Sequence, residues 1–379
     1  MHFIVPTVAS AFFAAVALTW IVRKSARALG VLDHPDGVRK LQRAPIPLLG
    51  GVGVFGAWII GLVFGCFSLG EASASENATA AAFGRLVFAG GFGPTLFLAV
   101  GVVLLTGILD DVVSLRPRWK LVGQVVAASL LAADGLIVKR LWLFGFTVDL
   151  GWLGFVFSVV WLVGSMNSVN MLDGLDGLAT TLGVVISLTL TWMALLSGDP
   201  SLALVSLALT GALAGFLLFN FPPASIYLGD SGSTLMGLLI GAVAIKGSFK
   251  GPATAALVAP VAVLALPIVD GLEAVIRRRL NGRAISEADR GHIHHCLQQF
   301  GWTTRQILLG IGALCALTGS AVLLSLYFRN EPIALAATLA VALACGAAKV
   351  LGNREYRTLL GRSGIPPLRT SEDPRRTAA

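Results

Sequence analysis

Three features of the chain predict an all-α, polytopic integral membrane protein of about eleven transmembrane helices. Hydrophobic residues fill 56% of its 379 positions and charged residues only 13%, whereas a soluble domain carries about 25% charged residues. Mean hydropathy is +0.83. The apolar residues gather into runs near the ~20 residues that a bilayer core requires, and the basic residues lie mainly on one side of those runs.

In chain order the predicted spans are 3–22, 48–69, 86–109, 119–137, 152–169, 178–197, 201–219, 232–246, 254–276, 306–327 and 332–351. Arg23 and Lys24 follow the first run instead of preceding it, so it reads as a span and not as a cleavable signal peptide. The eighth is the shortest. Arg85, Lys139, Arg140, Lys246, Lys250 and Arg329 belong to the even-numbered gaps, and the odd-numbered gaps and the C-terminal tail hold the other 22 of 28 Lys and Arg. The positive-inside rule then places the N-terminus outside and the C-terminus in the cytoplasm. The net charge of +8 faces anionic headgroups and cytoplasmic nucleotides.

Residues 1–352 form one transmembrane domain in this reading, and 353–379 a basic, disordered tail. Of the outer loops, 71–82 is small and polar, and 139–150 has the Gly and aromatic residues of a short hairpin. Cys66, Cys296, Cys315 and Cys345 are scattered, with neither metal spacing nor a disulfide framework.

Polar clusters fall in the five odd-numbered gaps, all on the predicted cytoplasmic face. The first holds Lys40, Arg43 and Pro45-Ile46-Pro47-Leu48-Leu49-Gly50-Gly51; the second holds Asp110-Asp111, then Arg116, Arg118 and Lys120. The third, 167–177, contains Asn167, Asn170, Asp173 and Asp176, with Gly174 and Gly177 after the aspartates. The fourth holds Asn220-Phe221-Pro222-Pro223 and Tyr227-Leu228-Gly229-Asp230-Ser231-Gly232-Ser233. The fifth begins near Asp270, passes Arg277, Arg278 and Arg279, and ends in Asp289-Arg290-Gly291-His292-Ile293-His294-His295.

Each cluster has a plain structural alternative. Asp and Asn cap helices, Gly229 to Gly232 fits a turn before a helix, and the arginine run fits ordinary positive-inside charge. Yet a charged side chain at the membrane centre costs roughly 2.5–3.5 kcal/mol, and adjacent carboxylates are tolerated best beside a cation. Carboxylates, amides and flexible glycine backbone suit a hard cation with a phosphate ligand. A zinc site would need other spacing than three histidines in four positions; beside Arg290 they suit pyrophosphate binding or proton transfer. The sum is metal-dependent phosphoryl transfer at a membrane surface.

These motifs resemble the polyprenyl-phosphate N-acetylhexosamine-1-phosphate transferases over about residues 29–301, and most of all the bacterial undecaprenyl-phosphate GlcNAc-1-phosphate branch. The resemblance implies an eleven-helix topology and a multi-pass protein of the bacterial cytoplasmic membrane. It implies transfer of N-acetylhexosamine-1-phosphate, GlcNAc-1-phosphate above all, from a UDP-sugar to undecaprenyl phosphate. UMP would be released, as the first membrane step of a cell-surface polysaccharide pathway. Mg²⁺ or Mn²⁺ would be the cofactor, and the partners would be UDP-N-acetylhexosamine, undecaprenyl phosphate, the lipid bilayer and a second copy of the chain, with no nucleic acid. By the same resemblance Asp230, helped by Asn170, holds the metal, and Asp110 or Asp111 lies near the lipid phosphate as a candidate base. Asp173 and Asp176 lie near the metal and the uracil. Lys120, His292, His294 and His295 contact the diphosphate or assist its departure, and Lys40, Asn167 and Arg290 complete the substrate-binding set. Ser114 stands where relatives often carry a third acidic or amide residue, which weakens a role for a third carboxylate there.

Two rivals fit less well. A cation- or proton-coupled transporter tends to show internal repeats and mid-membrane ionisable groups, and here these groups crowd one face without a repeat. A CDP-alcohol phosphatidyltransferase would carry a compact aspartate array that is absent.

Overall fold

Helices in lipid gain little by hiding apolar surface from water, so close packing and interhelical hydrogen bonds must hold them together. The computed structural model describes residues 2–35, 44–71, 92–143, 146–247, 261, 264–280, 292–328 and 330–352. Its helices are α1 (Ile4–Ala28), α2 (Gly50–Glu71), α3 (Gly93–Val113), α4 (Pro117–Ala133), α5 (Leu153–Leu172) and α6 (Leu178–Leu196). They continue with α7 (Pro200–Asn220), α8 (Gly229–Gly247), α9 (Ala265–Leu280), α10 (Ile293–Gln299), α11 (Thr304–Phe328) and α12 (Glu331–Gly352). Seven of them, namely α1, residues Gly50–Leu69 of α2, α3, α5, α6, α7 and α11, are long and apolar enough to cross a membrane. The protein is therefore an all-α, multi-pass membrane protein. The remaining predicted spans coincide with α4, α8, α9 and α12; much of the first half of span 254–276 lies outside the described residues.

Helix ends follow local chemistry. Proline opens α4 and α7 at positions where its missing N–H costs nothing. Asp199 caps α7 by accepting the Leu202 N–H at 3.1 Å. Ser114, at φ 53°, turns the chain out of α3 in a left-handed conformation.

The centre of the bundle is α8. Every residue from Ser231 to Ile245 is buried, and α2, α3, α5, α6 and α7 all pack against it. Two bonds from α5 fix the α5–α8 crossing: Ser165 Oγ donates to the Gly237 carbonyl at 2.8 Å and Trp161 Nε1 to that of Gly241 at 3.2 Å. Such bonds are worth about 0.6 kcal/mol on average within a bilayer. On α2, fully buried Trp58 donates Nε1–H to the Val205 carbonyl of α7 at 3.1 Å. The outward faces carry Phe13, Leu105, Val160, Leu309 and Leu317, all exposed, as lipid contact requires.

Two small sheets close loops. Strands β1 (Leu32–Asp33) and β2 (Ile46–Pro47) pair antiparallel across the base of the first polar loop. Strands β3 (Arg140–Leu143) and β4 (Phe146–Asp149) form the hairpin expected within 139–150, with Arg140 opposite Asp149. Most of loop 71–82, the tail 353–379, Lys40 and Arg290 lie outside the described residues.

Candidate active site

The site is built on the first turn of α8. A helix start leaves backbone N–H groups without partners and carries a partial positive charge. Here the carboxylate that satisfies them comes from another helix. Asp111, in the last turn of α3, accepts the Asp230 N–H at 2.8 Å and the Ser231 N–H at 3.3 Å, and also the Ser231 hydroxyl at 2.6 Å. Gly229, at φ 73°, makes this possible, since a Cβ there would lie 2.5 Å from an Asp111 oxygen. Gly107 on α3 and Gly51 on α2 let both helices reach the α8 backbone; a Cβ on either would collide with Ser231.

Capping leaves Asp110 and Asp230 facing one cation. Lys120 of α4 sits 2.7 Å from Asp110 Oδ2 and is also bonded to Asp230 Oδ2. The other Asp110 oxygen accepts the Leu115 N–H at 2.8 Å and so holds the turn after α3. Among the described residues, Asp110, Asp111 and Asp230 place carboxylate oxygens within 4.8 Å of one another. Three carboxylates against one ammonium leave two negative charges, the complement of a divalent ion. An all-oxygen donor set of this kind suits Mg²⁺ or Mn²⁺. A small cleft opens beside it, lined by Asp110, Lys120, Gln124, Asp230 and Thr234 over an apolar floor that includes Val103.

The 167–177 stretch forms the neighbouring wall. Asn167 donates to Gln124 Oε1 at 2.6 Å and to the Val163 carbonyl at 2.8 Å. Asn170 accepts the Ser233 hydroxyl at 2.8 Å, which binds the end of α5 to the second turn of α8. Asp173 ends α5; burial, together with the carboxylates of Asp230, Asp111 and Asp176, pushes it well above the usual carboxylate range. Asp176 accepts the Ala224 N–H at 2.9 Å. With Asn220, which accepts from Thr180 and donates to the Ile226 carbonyl, it braces the 221–228 loop. That loop meets the first motif edge to edge: Tyr227 donates its N–H to the Pro47 carbonyl at 2.8 Å, and Gly50 and Gly51 donate to the Tyr227 and Leu228 carbonyls. Burial, reinforced by Asp176, Asp33 and Asp173, raises the Tyr227 phenol.

The histidines approach from α10. His292 and His294 are buried, with rings parallel at 5.7 Å between centroids. His294 packs against the 173–177 turn, and a Cβ on Gly174 would lie 2.9 Å from its Nε2. His295 is half-buried, with Nδ1 3.3 Å from Gln298 Oε1 on its own helix.

The structure thus brings Asp110, Asp111, Lys120 and Asp230 into one cluster, ties Asn167 and Asn170 to its edge, and sets His294 against the Asp173 turn. Asp176 serves the 221–228 loop. Sequence reasoning missed Gln124, although a glutamine four residues after Lys120 on an apolar helix shares its face. It also gave Asp270 no role, and Ser231 none beyond capping a helix.

Comparison with known proteins identifies the family. Residues 94–248, which span Asp110 to Ser233, match the family described as "Glycosyl transferase family 4". The chain is 33% identical over 296 residues to a probable undecaprenyl-phosphate N-acetylglucosaminyl 1-phosphate transferase of Bacillus subtilis, covering 78% of this chain and 77% of that one. It is 29% identical over 341 residues to the decaprenyl-phosphate N-acetylglucosaminephosphotransferase of Mycobacterium tuberculosis, covering 83% and 80%. It is 32% identical over 303 residues to a phospho-N-acetylmuramoyl-pentapeptide-transferase of Moorella thermoacetica, covering 75% and 86%. With a carboxylate-rich helix junction inside the matched region, the chain belongs to glycosyl transferase family 4, among the polyprenyl-phosphate N-acetylhexosamine-1-phosphate transferases.

Proposed function

We propose that this protein transfers N-acetylhexosamine-1-phosphate, with GlcNAc-1-phosphate as the favoured group, from a UDP-sugar to undecaprenyl phosphate. A lipid-phosphate oxygen attacks the β-phosphorus, the bond from that phosphorus to the bridging oxygen breaks, and UMP leaves with the electron pair. The anomeric bond is untouched. The observation that carries this reading is the junction of Asp110, Asp111, Asp230 and Lys120 at the start of α8, inside the region matched by the family. A proton- or cation-coupled transporter gains no support from the relatives.

Asp230, helped by Asn170, would hold Mg²⁺ or Mn²⁺, with the carboxylates of Asp110, Asp111 and Asp173 close by. The ion would supply charge neutralisation for the diphosphate and the transferring phosphoryl group. Lys120 balances Asp110 and Asp230 and offers an ammonium to the phosphates. Asp111 keeps the first turn of α8 in place by accepting the Asp230 and Ser231 N–H groups. Whichever of Asp110 and Asp111 meets the lipid phosphate is the candidate base, although a phosphate dianion scarcely needs one. Asp173, His292, His294 and His295 line the departure side. Asp176 shapes the wall for the uridine, and Asn167, Lys40 and Arg290 complete the substrate contacts. Eleven spans with the N-terminus outside put this site on the cytoplasmic face of the inner membrane, where UDP-sugars are made. A homodimer in the bilayer and a place at the first membrane step of a surface polysaccharide belong to the same proposal.

The test is UMP release by purified protein given undecaprenyl phosphate, Mg²⁺ and, separately, UDP-GlcNAc, UDP-GalNAc or UDP-MurNAc-pentapeptide. Lipid-dependent UMP with UDP-GlcNAc is expected. No UMP from any donor, with either metal, would overturn the reading.

A further inference from the structure

One buried carboxylate outside the α8 junction has a specific partner in the histidine motif. Asp270, on α9, is 0% exposed. Its Oδ2 lies 2.7 Å from His292 Nδ1, and its Oδ1 accepts the Ile293 N–H at 2.9 Å. The two oxygens therefore grip both the ring and the first turn of α10. The next residue, Gly271, lies against Ser168 of α5, where a Cβ would stand 3.2 Å from the hydroxyl. Asp270 is thus anchored on the helix that carries Asn167 and Asn170. The parallel stack of His292 on His294, and the seat of His294 on Gly174, carry this placement on to the Asp173 turn.

A carboxylate is a hydrogen-bond acceptor only, so a neutral imidazole 2.7 Å away must present Nδ1–H to it. A neighbour that fixes one ring nitrogen in this way also fixes the tautomer and the ring's direction. The bland alternative, a simple cap for α10, accounts for the bond to Ile293 but not for the bond to the ring.

We infer that Asp270 is a positioning residue for the transferase reaction: it locks His292 as the Nδ1–H tautomer and turns Nε2 toward the departing nucleotide phosphate. The inference rests on the proposed transferase reading. Asp270→Asn is the informative change. Its carbonyl can still accept from Ile293, while its NH₂ can only donate to Nδ1, which moves the ring proton to Nε2.

The experiment uses the full-length protein in nanodiscs, with two readouts. The first is the steady-state comparison of wild type, Asp270→Asn, His292→Gln and the double variant. Asp270→Asn should lower kcat on the order of 10²-fold, within what a correctly held acid–base side chain contributes. The KM for the UDP-sugar should stay unchanged, and the double variant should be no slower than His292→Gln alone. An unchanged kcat, or a full further loss in the His292→Gln background, would overturn the inference. The second readout needs neither turnover nor a stable variant at position 270. It is the ¹⁵N spectrum of the histidines at alkaline pH, with the His292 signals assigned by their loss in His292→Gln. Wild type should show His292 as a single Nδ1–H form, and an Nε2–H or averaged ring would overturn the inference. UMP release by wild type separates the two claims, because it stands or falls without regard to Asp270.

Discussion

Asp111 of α3 accepts the backbone N–H of Asp230 of α8 at 2.8 Å, so the acidic pair divides its labour. Asp111 caps a helix that is not its own, and Asp110 faces Lys120 and Asp230. Adjacent aspartates should therefore fail differently. Asp111→Ala leaves two N–H groups and a hydroxyl without their acceptor, at about 1–3 kcal/mol for each unsatisfied buried group. It should lower the thermal midpoint in detergent by several degrees. Asp110→Ala should leave the midpoint nearer wild type while abolishing turnover. Equal midpoints for the two would contradict the division.

Lys120 offsets one of three clustered carboxylates. Lys120→Met raises the local charge from two negative to three, so Mn²⁺ read by electron paramagnetic resonance should bind more tightly. Turnover should nonetheless drop on the order of 10²-fold, the cost of removing one preorganised electrostatic group. Weaker Mn²⁺ binding would mean that Lys120 supports the metal site in some other way.

Asp173 has a sign that a pH series can read. Its pKa is raised in the folded state by burial and by Asp230, Asp111 and Asp176. The folded protein then holds this proton more tightly than the unfolded chain, so the group costs stability above its unfolded pKa and the cost fades as pH falls below it. Asp173→Asn should raise the thermal midpoint at neutral pH and make no difference in acid, below the ordinary carboxylate range, while activity is lost. A midpoint lowered at neutral pH would contradict this placement.

Gly107 marks the contact between α3 and the α8 backbone. Gly107→Ala places a methyl group against Ser231, and overpacking of this kind costs about 1–3 kcal/mol. The expected result is reduced thermal stability with a weakened Mg²⁺ response, since Asp110 and Asp111 move with α3. Normal values of both would show that the helices can slide apart without harm.

Much of this was legible in the sequence, for identifiable reasons. Apolar runs of near-span length located the helices, because the bilayer fixes their length. Polar residues between such runs located Asp110, Asp111, Asp173 and Asp230, because lipid makes idle charges costly. What stayed hidden was pairing across the chain. The cap that Asp111 provides lies 119 positions from Asp230, and the grip of Asp270 on His292 spans 22. No local periodicity reports such contacts. Gln124 was hidden for a different reason: one amide in a helix has an ordinary polar reading until Asn167 is seen bonded to it.

The central claim is transfer of the β-phosphoryl group together with its sugar, and isotope position tests it most directly. UDP-GlcNAc labelled with ³²P at the β-phosphate would be incubated with the protein, undecaprenyl phosphate and Mg²⁺. The lipid and soluble products would then be separated. The expected result is label in the lipid fraction in step with unlabelled UMP. Label released as soluble UDP would mean that the anomeric bond had broken, and transfer of a sugar without its phosphate would contradict the account.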